Sequence, residues 1–300
     1  MTREKRRPLG YVEIPGGKVA IFPTNHIFLT YTFDKQEYWE ALRLIVNVFV
    51  AEYKKRAPAS QLKLLTGKIK VETEYKHLFS EDIRRTKEQD IRMFNENLDV
   101  TYVEYQNEVP SYRVVEERST DYYAHGIIKS RGKTANQVWI LAETVESVSK
   151  GAGIKRYVLK DEIGDDLHPN VSGIMYVDLK KLTRKNSPAG ELASFLLGHR
   201  REPKHSIVRK IVRMIKKGFK QFQKDKEVSK MLTARQKAIE EGEARGEARG
   251  KVIGEARGKA IKAEEISNKL KELQQLGLDA NEILRALAEA FSAPSKPVNV

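Results

Sequence analysis

Residues 90–107 read DIRMFNENLDVTYVEYQN, and the way this stretch folds back on itself decides what sheet the chain builds. A short strand over 90–94, a turn at Asn95-Glu96-Asn97 and a second strand over 98–107 make a hairpin, because Asn tolerates the left-handed backbone of a tight loop. Side chains alternate along a strand, so VTYVEYQ at 100–106 sets Glu104 and Gln106 on one face. A carboxylate buried there without compensation costs several kcal/mol. With the turn at 95–97, Phe94 faces Leu98 and Asp90 lies opposite Tyr102. Glu104 is then the diagonal neighbour of Asp90, roughly 7–8 Å away between backbones. Two carboxylates at that separation can converge on a hard divalent cation such as Mg2+. Gln106 sits one step further, within reach of a water or a phosphate oxygen. A solvated edge strand is the competing reading of the same pattern, and Glu72, Glu74, Asp82 and Glu88 are rival carboxylates. A register slip of one residue would move Asp90 to the other face.

Around the hairpin the chain alternates helix and strand signals. Residues 31–53 predict a helix, with Asp34 and Glu37 as a capping pair, Phe33 and Tyr38 as a staple, and an end before Pro58. Its buried stripe is Tyr38, Leu42, Ile45 and Phe49, widened by Trp39, Val46 and Val50. KIKVETEY at 68–75 alternates with period two and reads as a half-buried strand. Residues 111–130 read as a helix carrying Arg113, Arg118, Tyr122 and Tyr123, and VWILA at 138–142 as a strand buried on both faces. Short strands are expected at 156–160 and 174–179. Together these elements predict an α/β or α+β fold with a mixed sheet flanked by helices.

From about residue 182 the pattern becomes helical. Residues 189–232 carry an apolar stripe of Val208, Ile211, Ile215, Phe219 and Phe222 beneath a basic face. Glycines 242, 246, 250, 254 and 258 follow, four apart, in a run of EARG repeats. The tail predicts a helical pair: Leu270, Leu273 and Leu276 stop at Gly277, and Asp279 caps a second helix with Glu282 at its third position. The expected organisation is 1–185 as the sheet domain, 186–235 as a basic helical segment, 236–262 as the glycine repeat and 263–292 as the terminal hairpin.

Composition narrows the chemistry. The 300 residues include no cysteine, which excludes disulfides, thiolate metal sites and thiol nucleophiles and fits a reducing cytoplasm. Runs such as LIVNVFV at 44–50 are too short to span a membrane, and the N-terminus lacks the apolar core of a signal peptide. None of the six histidines shows ligand spacing, and neither Gly16-Gly17 nor GAG at 151–153 has the context of a phosphate-binding loop. No small-molecule cofactor is expected. The net charge of +14 is concentrated: Lys180 to Lys262 holds 24 Lys/Arg against 9 Asp/Glu. So dense a positive field favours a polyanion, nucleic acid before a membrane surface. Its candidate contacts with a phosphate backbone are Arg209, Arg213, Lys216, Lys217 and Lys220.

Asp90, the VEYQ at 103–106, Arg118, the Tyr122-Tyr123 pair, Gly132 and the apolar strand QVWIL at 137–141 resemble the Rpn family. These are bacterial recombination-promoting nucleases, also described as transposase-related, within the PD-(D/E)XK superfamily. Family members often end in Gly/Glu/Arg tetrapeptide repeats and a Leu-rich helical pair, and the similarity runs from about Tyr31 to Phe291. The resemblance implies a restriction-endonuclease-like mixed sheet with a helical C-terminal extension. It also implies Mg2+- or Mn2+-dependent hydrolysis of DNA phosphodiesters, tied to recombination or mobile elements. Asp90 and Glu104 would be the metal ligands, with the Tyr105 carbonyl beside them. Gln106 occupies the position usually held by Lys. A neutral amide there cannot take up a proton usefully, so a catalytically silent DNA-binding or assembly protein of the same fold is the alternative.

In a helix, the glycine row advances about 40° per four-residue repeat, flanked by a Glu row on one side and an Arg row on the other. A second copy could complement those rows, making a homo-oligomer through the C-terminal helices. A flexible linker is the other reading.

Overall fold

The computed structural model describes residues 6–60, 62–73, 91–96, 99–106, 115, 117–121, 135–145, 152–158, 172–199, 202–276 and 279–292. They fall in two compact units, Met1–Thr233 and Ala234–Val300.

The first unit opens with a hairpin, β1 (Gly10–Ile14) and β2 (Gly17–Ile21), turned at Gly16, whose φ of 90° suits a residue without Cβ. Helix α1 (His26–Phe33) follows, capped by the Asn25 side chain, which accepts the Phe28 N–H at 3.0 Å. A 3-10 turn (Gln36–Tyr38) leads into α2 (Trp39–Arg56). The expected single helix from 31 is therefore two. Asp34 and Glu37 do not form a capping pair, because tertiary partners claim them. Asp34 accepts the Thr73 hydroxyl at 2.9 Å, and Glu37 accepts from Lys217 at 3.0 Å and Gln221 at 2.9 Å. The expected buried stripe of α2 is in place, with Tyr38, Leu42, Ile45, Val46, Phe49 and Val50 all buried.

Six strands form one mixed sheet: β3 (Lys70–Thr73), β4 (Ile91–Phe94), β5 (Val100–Gln106), β6 (Ala135–Leu141), β7 (Ile154–Val158) and β8 (Gly173–Asp178). Their order is β3-β4-β5-β6-β8-β7. Strands β3, β4 and β5 form an antiparallel meander, β5, β6 and β8 run parallel, and β7 closes the far edge antiparallel to β8. The central place of β6 explains why VWIL at 138–141 is apolar on both faces. Of the expected helix at 111–130, residues 117–121 are described as helical; Arg113, Tyr122, Tyr123 and Gly132 lie outside the described residues.

The hairpin register differs from the expected one. Ile91 pairs with Val103 and Phe94 with Val100, so Tyr102 faces Arg92 rather than Asp90. The loop is longer because Asn95 and Asp99 close it. The Asn95 amide donates to the Asp99 carboxylate at 3.0 Å, its oxygen accepts the Asp99 N–H at 2.9 Å, and the Asn95 N–H reaches the Asp99 carbonyl at 3.2 Å. The shift is two residues, so every side chain keeps its expected face.

After the sheet come α3 (Leu179–Leu182), α4 (Pro188–Leu196) and α5 (Ser206–Lys224). Ser187 caps α4, with Pro188 at its first position. The helical run expected over 189–232 breaks at Gly198, whose φ of 81° terminates α4. Helices α1, α2, α4 and α5 share a single core with one sheet face, the face of Val103, Tyr105, Val138 and Ile140. The stretch 186–235 thus contributes α4 and α5 to that core. Phe222, fully buried, packs edge-on against Phe28 and Tyr31.

Helix α6 (Lys226–Gln275) starts in the first unit, where Val228 and Leu232 are buried, and carries the glycine repeat of the second. Among the described residues, and apart from the helix's own adjacent backbone, nothing lies within 4 Å of where a Cβ would stand at Gly242, Gly246, Gly250, Gly254 or Gly258. Helix α7 (Ala280–Ser292) begins with the expected cap: Asp279 accepts the Glu282 N–H at 2.9 Å and Glu282 accepts the Asp279 N–H at 2.8 Å. No helix among the described residues is long and apolar enough to cross a membrane.

Candidate functional site

Alternation along β5 splits its side chains between two environments. Val103 and Tyr105 enter the main core, while Val100 and Tyr102 pack with Ala135 on the opposite face. Glu104 and Gln106 share that second face, as the sequence pattern requires. On it, Trp139 and Leu141 of β6 and Ile174 and Tyr176 of β8 form an apolar cluster with Val115, and the Arg118 guanidinium stands over the Trp139 ring. Glu104 is paired in register with Trp139 and is 1% exposed. The Gln106 amide donates to the Glu104 carboxylate at 3.5 Å, a long contact made by one of its two N–H groups.

Asp90 lies outside the described residues, as do Glu74, Asp82 and Glu88. Glu72 is described, on the same sheet face but two strands from Glu104, and it pairs with Lys70 at 3.0 Å. Among the described residues no group of three or more His, Asp or Glu side chains gathers as a metal cage. Of the two expected ligands only Glu104 is described, and its carboxylate oxygens are of the kind a hard cation takes.

Two features of this face escape a reading of sequence pattern. Tyr102, paired with Arg92 and Gln137, has its phenol pushed up by burial, an effect that Arg92 opposes and Glu72 reinforces. Gln137 is 2% exposed, and its oxygen accepts the Trp139 indole N–H at 2.9 Å. Indole only donates, so the amide orientation is fixed. Its NH2 points away, buried and without a partner among the described residues. An amide two positions from Trp in an apolar strand was the available signal.

The five candidate contacts on α5, Arg209, Arg213, Lys216, Lys217 and Lys220, are all exposed. Lys217 is held by Glu37, and Arg209 donates to the Lys204 carbonyl at 2.6 Å. Arg213, Lys216 and Lys220 have no ion-pair partner among the described residues. Because α5 turns its apolar side to α1 and α2, and these cover the Val103 face of the sheet, the basic row looks away from Glu104. The structure does not bring the two sets of candidate residues onto one surface.

No protein-family model, curated protein or solved structure is significantly similar to this chain.

Proposed function

We propose that the chain is a metal-dependent deoxyribonuclease of the PD-(D/E)XK kind, acting in the cytoplasm on DNA in recombination or mobile-element turnover. The observation that supports this most is Glu104, a carboxylate buried beside Trp139 with Gln106 next to it on the same face. The β4–β5 register adds weight, since Ile91 pairs with Val103, the residue before Glu104. Bound Mg2+ or Mn2+ would polarise a phosphate oxygen and lower the pKa of a coordinated water. Glu104 and Asp90 supply the oxygen ligands, with the Tyr105 carbonyl beside them. The aromatic wall keeps competing water from the Glu104 carboxylate. Gln106 hydrogen-bonds that carboxylate and would offer its other N–H to a phosphate oxygen, positioning without proton transfer.

One observation favours a second reading, a DNA-binding or assembly protein that does not cut. Gln106, which touches Glu104, is a neutral amide and lends no positive charge to a developing phosphorane. Plasmid DNA incubated with Mg2+ or Mn2+ separates the two. Nicking by wild type that is lost in Asp90→Ala and Glu104→Gln, with both variants still folded, is the expected result. Intact plasmid with every divalent metal, together with retained DNA binding, would refute the nuclease.

A further inference from the structure

The basic row of α5 and the Glu104 face point in opposite directions, and this has a consequence for how many nucleic-acid segments one chain can hold. Arg209, Arg213, Lys216 and Lys220 fall at i, i+4, i+7 and i+11, within an arc of about 60° and along about 16 Å of axis. Val208, Ile211, Ile215, Phe219 and Phe222 lie on the other side of the helix and are buried. Lys210 and Lys217 flank the row and pair with Glu40 at 3.3 Å and Glu37 at 3.0 Å of the preceding layer, fixing the roll of α5. Arg213, Lys216 and Lys220 are left presenting their charges outward. Beside Lys216 runs a groove lined by Arg7, His199, Glu202 and Val212, where the Arg7 N–H donates to the Gly198 carbonyl at 3.0 Å. That bond holds a further cation next to the row.

We propose that this row and its groove grip the phosphate backbone of a second DNA duplex, distinct from the one held at the Glu104 face. The Glu104 contact rests on the nuclease reading above; the α5 contact does not. At least one helix diameter, about 10–12 Å, and the sheet itself separate the two surfaces, so a straight duplex lying on one cannot reach the other. The outward side of α5 carries no large apolar residue, since both of its phenylalanines are buried. An anionic lipid surface would want such residues for insertion, whereas a duplex backbone asks only for spaced cations.

Titration of the full chain with a short blunt duplex, in Ca2+ to suppress cutting, tests this. Wild type binds two duplexes per chain, and Arg213→Gln/Lys216→Gln/Lys220→Gln binds one. Lys220→Gln alone, which keeps the other contacts, lowers the slope of log affinity against log salt for the second duplex by about 1. One duplex per wild-type chain that the triple variant still binds, or two per triple variant, overturns the proposal; one per wild-type chain and none per triple variant refutes the Glu104 contact instead. A chain that binds two duplexes yet leaves plasmid intact with Mg2+ or Mn2+ refutes the nuclease and leaves this contact standing.

Discussion

Phe222 tests whether the basic helix is part of the sheet domain's core or an appendage to it. Its side chain is fully buried, 5.4 Å from the Phe28 ring at 75° and 5.1 Å from the Tyr31 ring at 76°. Truncation of a buried Phe to Ala ordinarily costs about 3–5 kcal/mol in lost transfer energy and cavity. Edge-to-face pairs hold about 0.5–1.5 kcal/mol each beyond their area, so Phe222→Ala belongs near the upper end of that range. Against a domain stability of about 5–15 kcal/mol this is a third or more of the total. Urea unfolding followed by tryptophan fluorescence reads it on both faces of the sheet, since Trp39 of α2 packs on the core that holds Phe222 and Trp139 of β6 lies in the cluster on the other face. The expected outcome is a large fall in midpoint at unchanged slope, with Phe222→Leu intermediate. Lys220→Ala, on the exposed side of the same helix, is expected to move stability by less than about 0.5 kcal/mol. A loss below about 1 kcal/mol in Phe222→Ala would refute the claim that α5 belongs to this core.

Two further predictions concern charge and backbone. Burial pushes the Glu52 carboxyl up, but its hydrogen bonds and attraction to Lys185 and Lys55, each at 3.0 Å, outweigh that and hold it below its ordinary value of 4.5. Its stabilising contribution is therefore complete above about pH 4.5 and is lost as pH falls through the lowered folded value. Glu52→Gln is expected to cost about 1–2 kcal/mol at neutral pH, less than a fully buried pair because both lysines reach water. That difference should shrink in acid, and a gap independent of pH would contradict the assignment. In α6, replacing the glycines at 242, 246, 250, 254 and 258 by alanine meets nothing within 4 Å among the described residues apart from the helix's own adjacent backbone. Each is expected to stabilise the helix by up to about 1 kcal/mol, seen as a higher melting temperature in circular dichroism. If these glycines seat a second copy, light scattering will also show a lower mass than wild type. An unchanged mass removes the self-association reading.

What the sequence disclosed follows from how local each determinant is. The stripe of α2, the doubly buried VWILA strand, the apolar side of α5 and the Asp279–Glu282 cap all depend on residues within a few turns, and all are legible. The same holds for Glu104 and Gln106 sharing a face, which needs only alternation. The break between α1 and α2 was hidden because Asp34 and Glu37 find partners in Thr73, Lys217 and Gln221, far along the chain. The hairpin register was missed by two residues because Asn95 and Asp99 close the loop with side-chain bonds as well as backbone. The opposed directions of Glu104 and the α5 row depend on layer order, which no local pattern carries.

The β1–β2 hairpin and α1 have a further consequence, one of timing. Phe28 and Tyr31 pack on Phe222, the Gln223 amide donates to the Tyr11 carbonyl at 2.8 Å, and the Ser229 hydroxyl donates to the Glu13 carbonyl at 2.9 Å. Elements near the start of the first unit are thus completed by ones near its end. At about 5–20 residues per second, the roughly 200 intervening residues impose a wait of about 10–40 s. Throughout that interval the Phe28 and Tyr31 rings of α1 lack Phe222, the partner they pack against, so nascent chains of this protein should be exposed to misassembly there.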